Sequence, residues 1–418
     1  MTGADTDNSI PAGTAAGPVA RGGAQQELLE TVRLLAEEIG PRPSAGEGER
    51  KAAAVVIDRL RRAGYTVELE PFDGLTSFTW VYAPLYALGA LAGWLGRRWL
   101  SAGAVLGLAA LAAYLAEVLG FPALARLAGL PRGRSQNVVA RLPLPEGTTL
   151  PARQIVLVAH LDSQRAALPF HPRLVGRFRQ AFLAYTTAFA VVALGGLVRV
   201  LAPRRMQGGG DGLLAGTAAV LLVPLAALVH REVAMPAVPG ANDNASGVAV
   251  LLAAADRIAA RLATLTDRTA AIWIVFTGCE ESGLGGMHQF LARHGGELNS
   301  AETLFLNVDT VGAGMLTLIN QEGPLWPLLA DAELLEQATR VALQRRLHFQ
   351  TQAYHTLPTD AQVPMARGYR ALTLMAMDDH GRLPNWHWPT DTWDRVDPET
   401  MESALQLVVT LVRRLGAG

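Results

Sequence analysis

Four uncharged, strongly apolar runs divide this chain and constrain its fold more than any other feature. Phe78 to Leu95 and Trp99 to Ala116 flank Gly96-Arg97-Arg98. Ala181 to Val198 and Gly212 to Val229 flank a stretch carrying Arg199, Arg204, Arg205 and Asp211. Each run is about 18 residues, roughly 27 Å as a helix, against a hydrocarbon core of about 30 Å. They are short and rich in Ala and Gly, yet long enough to span. Two arrangements satisfy them: helical hairpins that cross a membrane, or hairpins buried in a soluble core. The membrane arrangement is preferred, because four such runs with arginines only at their ends are hard to bury otherwise.

The rest of the composition excludes more than it assigns. The chain has 418 residues, enough for one large domain with insertions or two modest domains. Its hydrophobic content of 50% is high, and the excess is concentrated in the four runs. A net charge of −1 leaves no electrostatic footprint for nucleic acid. Lys51 is the sole lysine, which reads as codon bias. Cys279 is the sole cysteine, so an intrachain disulfide and a cysteine-rich metal site are both excluded, which fits a reducing compartment. Residues 1–24 are small and polar without a signal-peptide-like apolar core, and are expected to be a disordered tail.

Outside the runs, strand and helix signals alternate. Apolar residues recur at helical spacing from Gln25 to Ile39, Gly46 to Ala63, Gly247 to Ala263, Gly285 to His294, Leu325 to Arg345 and Pro398 to Leu415. Strands are expected at Tyr65 to Phe72, Gln136 to Leu142, Gln154 to Ala159, Ala270 to Thr277, Thr303 to Val308 and Ala371 to Met377. Several are continuous Val/Ile/Leu/Ala runs, as in strands covered on both faces. The alternation predicts an α/β three-layer sandwich with a mainly parallel mixed sheet, interrupted by two transmembrane helical hairpins.

Chemistry-bearing residues fall where these strands end. His160 closes an apolar strand, and Asp162, two residues on, points to the same side and can orient its imidazole. Asp243, among small residues before a helix, suits a metal bridge and an Asx cap equally. Glu280 and Glu281 follow a hydrophobic strand. Adjacent carboxylates repel, so one is assigned as a metal ligand (Glu281) and the other as a general base (Glu280), against the alternative of an exposed acidic turn. Asp309 ends a buried strand, where a carboxylate is costly without a cation. His387 lies between Trp386 and Trp388, a ligand or a core histidine. Each signal is moderate; the ordered set is far more specific. Cys279 beside the base is expected to be a small packed residue rather than a nucleophile.

With these residues in place, the sequence resembles the co-catalytic zinc aminopeptidases of metallopeptidase family 28. The resemblance runs from about Gln25 to the C-terminus, apart from the apolar runs. It rests on Gly40-Pro41-Arg42, Gly64-Tyr65-Thr66-Val67, Asn137-Val138-Val139-Ala140, His160-Leu161-Asp162-Ser163 and the segment from Asn242 to Gly247. It rests also on Glu280-Glu281 with Gly283-Leu284, on Thr359-Asp360-Ala361 and on His387 with Pro389-Thr390-Asp391-Thr392. The resemblance implies two Zn²⁺ ions, with Co²⁺ or Mn²⁺ as substitutes. Asp243 would bridge them, His160 and Asp309 would complete one, Glu281 and His387 the other. A metal-bridging hydroxide with Glu280 as base would then release N-terminal residues from peptides. Asp360 and Asp391 are supporting candidates with no derived role. Deacylase and carboxypeptidase relatives usually carry a lid domain after the paired glutamates, for which the stretch from Glu281 to Asp309 is too short. The complete ligand set also disfavours the single-metal, glutaminyl-cyclase-like members.

The apolar runs depart from the soluble members of that family. His160 and Asp243 flank the second pair of runs, so a membrane excursion between them must return to the side it left. The expected order is therefore peptidase segments 25–77, 131–177 and 233–418, with hairpin insertions at 78–130 and 178–232. Arg126, Arg132, Arg134, Arg165, Arg173, Arg177, Arg179 and Arg231 near the catalytic side outnumber the tip arginines, favouring a cytoplasmic catalytic domain. The expected partners are a peptide substrate and the lipid bilayer. The competing readings are a carboxypeptidase or amide hydrolase on the same metal core, and a non-catalytic membrane scaffold.

Overall fold

The continuous apolar segments pair into one sheet that is covered on both faces. A computed structural model describes residues 18–122, 124–125, 127, 129–144, 153–202, 210–262 and 270–416. Among the described residues nine strands make the sheet: β1 (Thr66–Leu75), β2 (Arg132–Arg141), β3 (Arg153–His160), β4 (Ala270–Thr277), β5 (Thr303–Val308), β6 (Met315–Glu322), β7 (Leu328–Leu329), β8 (Phe349–Tyr354) and β9 (Arg370–Met377). Their order is β1-β2-β4-β3-β5-β9-β6-β7, with β8 beside β6. The central strands β4, β3, β5 and β9 run parallel, while β1, β2, β6 and β7 join antiparallel at the flanks. The sheet is thus mixed, with its parallel part in the middle.

Alternate residues of the central strands face two cores. Ile155, Leu157, Ile272, Ile274, Leu304 and Leu306 face one side. There they meet α1 (Pro18–Arg33), α2 (Glu47–Arg62), α7 (Ser246–Leu262), α9 (Ala332–Gln344) and α11 (Pro398–Gly416). Val156, Val158, Trp273, Val275 and Phe305 face the other, against α8 (Gly285–His294) and α10 (Gln362–Met365). Burial on both faces explains why these strands lack polar alternation.

Several boundaries move. Helix α1 already runs from Pro18, so the expected tail to residue 24 is too long; residues 1–17 lie outside the described residues. The helix expected from Leu325 starts at Ala332, because Asp331 accepts a hydrogen bond from Leu334 N (2.8 Å) and caps it there. Leu328–Leu329 pairs with β6 instead. Strands β6 and β8 were not anticipated; Thr317, Asn320, Gln321, Thr351 and Gln352 break up their apolar pattern.

The four apolar runs form α3 (Thr79–Leu95), α4 (Leu100–Val118), α5 (Phe178–Leu201) and α6 (Asp211–Ala234). They do not stand as two separate hairpins. Helix α3 packs on α4, α5 and α6, and α5 packs on α4 and α6, giving one four-helix bundle with Leu85, Tyr86, Tyr114, Phe189, Val192 and Leu221 inside. Small residues permit close approach: a Cβ on Gly103 would overlap the backbone of Gly96. At the tips Arg199 pairs with Asp211 (2.6 Å) and donates to Gly96 O (3.2 Å), tying one hairpin to the other. Helices α4, α5 and α6 are long and apolar enough to cross a membrane; α3, with 17 residues and Pro84 inside, is shorter. Arg126, Arg204 and Arg205, used above for orientation, lie outside the described residues.

Candidate metal centre

Parallel strands leave their C-terminal ends side by side, and the candidate residues sit on the loops there. His160 is the last residue of β3, in register with Thr277 of β4. Glu280 and Glu281 follow β4, Asp309 follows β5, and His387 lies in the loop after β9. Asp243 precedes α7, in a segment that leaves helical geometry at Asp243 and Asn244.

All five proposed ligands converge. His160, Asp243 and Asp309 place donor atoms within 4.8 Å of one another, as do Asp243, Glu281 and His387, and as do His160, Glu280 and Glu281. His160 Nε2 lies 3.1 Å from Asp243 Oδ1 and 3.7 Å from Asp309 Oδ1. His387 Nε2 lies 2.9 Å from Asp243 Oδ2 and 3.2 Å from Glu281 Oε2. Each carboxylate oxygen of Asp243 therefore faces a different imidazole, as a bridging ligand would.

The motif around Asp243 works by alternation. Asn242, Asn244 and Ser246 turn away from the centre and hold the loop that carries Asp309. Thr310 N donates to Asn244 Oδ1 (3.1 Å), Val311 N to Ser246 Oγ (3.1 Å) and Gly312 N to Asn242 Oδ1 (2.7 Å). Asn244 Oδ1 also accepts from Gly247 N (3.0 Å), so the Asx cap of α7 is Asn244 and Asp243 is left for the centre. A Cβ on Gly247 would collide with Val308 O, so glycine lets these two segments touch.

Asp162 differs from its expected role. His160 Nδ1 sits 3.1 Å from the backbone carbonyl of Asp162 but 3.6 Å from its carboxylate. That carboxylate instead accepts from Glu280 N and Glu281 N (3.1 Å each) and from Ser44 Oγ (2.6 Å). It fixes the turn of the paired glutamates, while its backbone orients the imidazole. Asp391 also gains a part: it accepts from Asn242 N (2.6 Å) and Asp243 N (3.1 Å), tying the His387 loop to the Asp243 turn. Asp360 accepts from Thr277 Oγ1 beneath the glutamates.

Residues outside the sequence reading complete the shell. Gln164 Nε2 donates to Glu281 Oε2 (2.8 Å), and Arg231 of α6 donates to Gln164 Oε1. Phe170 packs edge-on against the His387 ring, centroids 4.5 Å apart. Arg42 is buried and donates to the carbonyls of Leu35, Leu161, Pro239 and Gly240, which explains the Gly-Pro-Arg motif as a clamp behind the site. Gln164 and Phe170 carry no local pattern that would have marked them. Cys279, Thr310 and His387 hold left-handed φ values of 55°, 53° and 49°, uncommon for non-glycine residues and clustered at this centre. The Cys279 thiol is buried and pushed well above its ordinary pKa by that burial and by Glu49 and Asp162, as suits a small packed residue.

The electrostatics fit a cationic occupant. Burial alone would lower His160 and His387, yet the surrounding carboxylates, led by Glu280 and Glu281 respectively, hold His160 well above its ordinary value and His387 at about 9. Burial would raise Asp243, but the two imidazoles hold it well below the carboxylate range. Burial and the neighbouring acids push Glu280 and Glu281 up. Asp360 and Asp391 are raised to about 7 by burial. So much buried negative charge is costly unless cations balance it. Among the described residues, Glu281 Oε1 and His387 Nδ1 are buried without a hydrogen-bond partner. A nitrogen and carboxylate donor set of this kind suits zinc.

Comparison with known proteins agrees. The model of peptidase family M28 matches residues 229–412. No curated protein matches the chain. Among solved structures, the zinc aminopeptidase BSAP from Bacillus subtilis is similar at 16% identity and a TM-score of 0.53, over 94% of this chain and 95% of that one. The aminopeptidase from Aneurinibacillus sp. strain AM-1 is similar at 16% identity and 0.53, over 94% of each. The glutaminyl cyclase of Tannerella forsythia is similar at 17% identity and 0.55, over 93% and 97%. These likenesses establish the shared fold. The stretch that matches the model of peptidase family M28, residues 229–412, carries Asp243, Glu280, Glu281, Asp309 and His387.

Proposed function

We propose that this chain is a membrane-anchored zinc aminopeptidase with a two-metal centre. The observation that carries the reading is Asp243, with one oxygen 3.1 Å from His160 and the other 2.9 Å from His387. Asp309 and Glu281 then complete two separate donor groups. His160, Asp243 and Asp309 would hold one ion, and Asp243, Glu281 and His387 the other. Divalent ions bound there would polarise the scissile carbonyl and acidify a water.

The chain's own residues supply the rest. Glu280 belongs to neither donor group around Asp243, yet lies beside His160. Its raised pKa suits a proton acceptor that takes a proton from water and delivers it to the leaving amine. Asp162 holds the Glu280 and Glu281 backbone N–H groups and so keeps base and ligand in register. The acidic end of the cleft favours a substrate ammonium. Among the described residues lining it, Arg231 is the one lysine or arginine, and it is already bonded to Gln164 and Ser77 and paired with Glu232. That scarcity of lining cations weighs against a substrate carboxylate and ranks the carboxypeptidase reading second.

Membrane anchoring draws support from the outer faces of the bundle. Leu91, Trp94, Val105, Leu194, Val198, Leu213, Leu222 and Val223 are all exposed there. Helices with apolar outsides that approach closely at glycine contacts such as Gly103 against Gly96 suit a bilayer. The arginine bias in the sequence supports a catalytic domain on the cytoplasmic side.

The test is hydrolysis by the purified full chain in detergent, using free-amine peptides beside the same peptides N-blocked. The expected result is release of the N-terminal residue from the free-amine series alone, lost on chelation and restored by zinc. Equal cleavage of the blocked series would favour an amide hydrolase.

A further inference from the structure

The cavity over the metal-candidate residues does not stop at the peptidase fold. It encloses about 240 Å³ and has His160, Asp243, Glu280, Glu281, Asp309 and His387 at one end. Its walls continue into the near end of the helical bundle, through Tyr82 and Tyr86 of α3, Phe182 and Tyr185 of α5, and Pro224 and Leu228 of α6. From Phe78 to Tyr86 is about 12 Å of helix at about 1.5 Å per residue, so the space reaches about two turns into the bundle. Deeper in, rings close it: Tyr86 lies 5.4 Å from Phe189 and 6.0 Å from Tyr114, and Tyr114 stacks on Phe189 at 4.5 Å.

We propose that this chamber receives large apolar side chains from the first two residues of a substrate peptide, so that the inserted helices set the enzyme's specificity. The proposal rests on the aminopeptidase reading and names its substrate class. Three observations carry it. The chamber is continuous with the proposed reaction centre, so its occupant is the substrate itself. Its walls are aromatic and aliphatic, whereas the acids cluster at one end, which separates a place for an ammonium from a place for apolar groups. The lining also includes the hydroxyls of Tyr82 and Tyr185, partners for peptide groups that a plain acyl chain would leave unpaired.

The α6 wall is coupled to the centre. Arg231 donates to Gln164, which donates to Glu281, and Arg231 also donates to Ser77 (2.9 Å) just before α3. The chamber is therefore held at a fixed distance from the metal-candidate residues by hydrogen bonds rather than by packing alone.

The experiment uses the full chain in nanodiscs with zinc and two free-amine peptide series of equal length, beginning Phe-Leu or Ala-Ala. Ala181→Trp and Ala227→Phe each fill the chamber from its wall without removing a packed side chain. The expected kcat/KM ratio favours Phe-Leu by about tenfold or more, and each variant lowers that ratio by about tenfold. A general folding defect would lower both series in parallel and leave the ratio in place. An unmoved ratio in both variants, or no Phe-Leu preference, overturns the proposal. Preferential hydrolysis of N-lauroyl-alanine over both series would overturn the peptide as occupant. Binding of a reduced-amide Phe-Leu peptide separates the two readings. If neither series is cut but this probe binds wild type about tenfold tighter than the variants, the chamber stands and the aminopeptidase reading falls. If Ala-Ala peptides are cut while the probe binds wild type and variants alike, the reverse holds.

Discussion

A carboxylate's position in this fold decides whether it reacts, bridges or braces. Glu280 and Glu281 are chain neighbours, yet Glu281 faces His387 while Glu280 lies beside His160. Glu280→Gln keeps the shape and removes the proposed proton acceptor. Metal content should stay at the wild-type level by mass spectrometry while kcat falls by about 10²- to 10⁴-fold; wild-type turnover would refute the base assignment. Glu322 is a different case, a buried acid outside the proposed donor groups. It accepts from Thr359 Oγ1 (2.6 Å) and Thr373 Oγ1 (2.8 Å), and burial raises it to about 7 from 4.5. A raised folded-state pKa means the native state binds the proton more tightly. Its stabilising contribution is complete below pH about 4.5 and is lost as pH rises to about 7. Glu322→Gln should therefore gain stability relative to wild type between those values, on the order of 3 kcal/mol by paired denaturation curves. A constant difference across the window would contradict this. At this scale the proposed ligands were readable because each lies at a strand end, in a loop after a strand or before a helix, and because the ordered set is more specific than any one member. Gln164, Phe170 and the role of Asp391 were not, because their meaning lies in contacts across 117, 217 and 148 positions of chain, which no local pattern records.

Elements were readable where one force dominated. Strands β4 and β5 follow from unbroken apolar runs, and α8 and α11 from helical periodicity, because burial alone fixes them. Strands β6 and β8 escaped notice because pairing with an edge, not their own apolar pattern, makes them strands. The apolar runs announced four helices but not their partners. That two hairpins unite into one bundle depends on glycines spaced for close contact. Gly103→Val would drive a branched side chain into the backbone of Gly96. We expect the bundle to lose about 1–3 kcal/mol, read as earlier thermal unfolding in detergent. An unshifted transition would mean that α3 and α4 do not meet there.

The whole molecule joins a sheet that gathers reactive groups at its parallel centre to a bundle that adjoins the same cleft. The sequence order already required each insertion to return to its starting side, since the segments on either side share one sheet. Only the assembled structure reveals that both insertions return to the mouth of the site. The central claim is that five scattered side chains hold two divalent ions, and metal stoichiometry tests it most directly. After equilibration with zinc and removal of excess, the full-length chain should retain about two zinc ions, and Asp243→Ala, which loses the shared ligand, should retain fewer than one. A wild-type chain that retains no zinc, or an Asp243→Ala chain that keeps the full complement, would contradict the account.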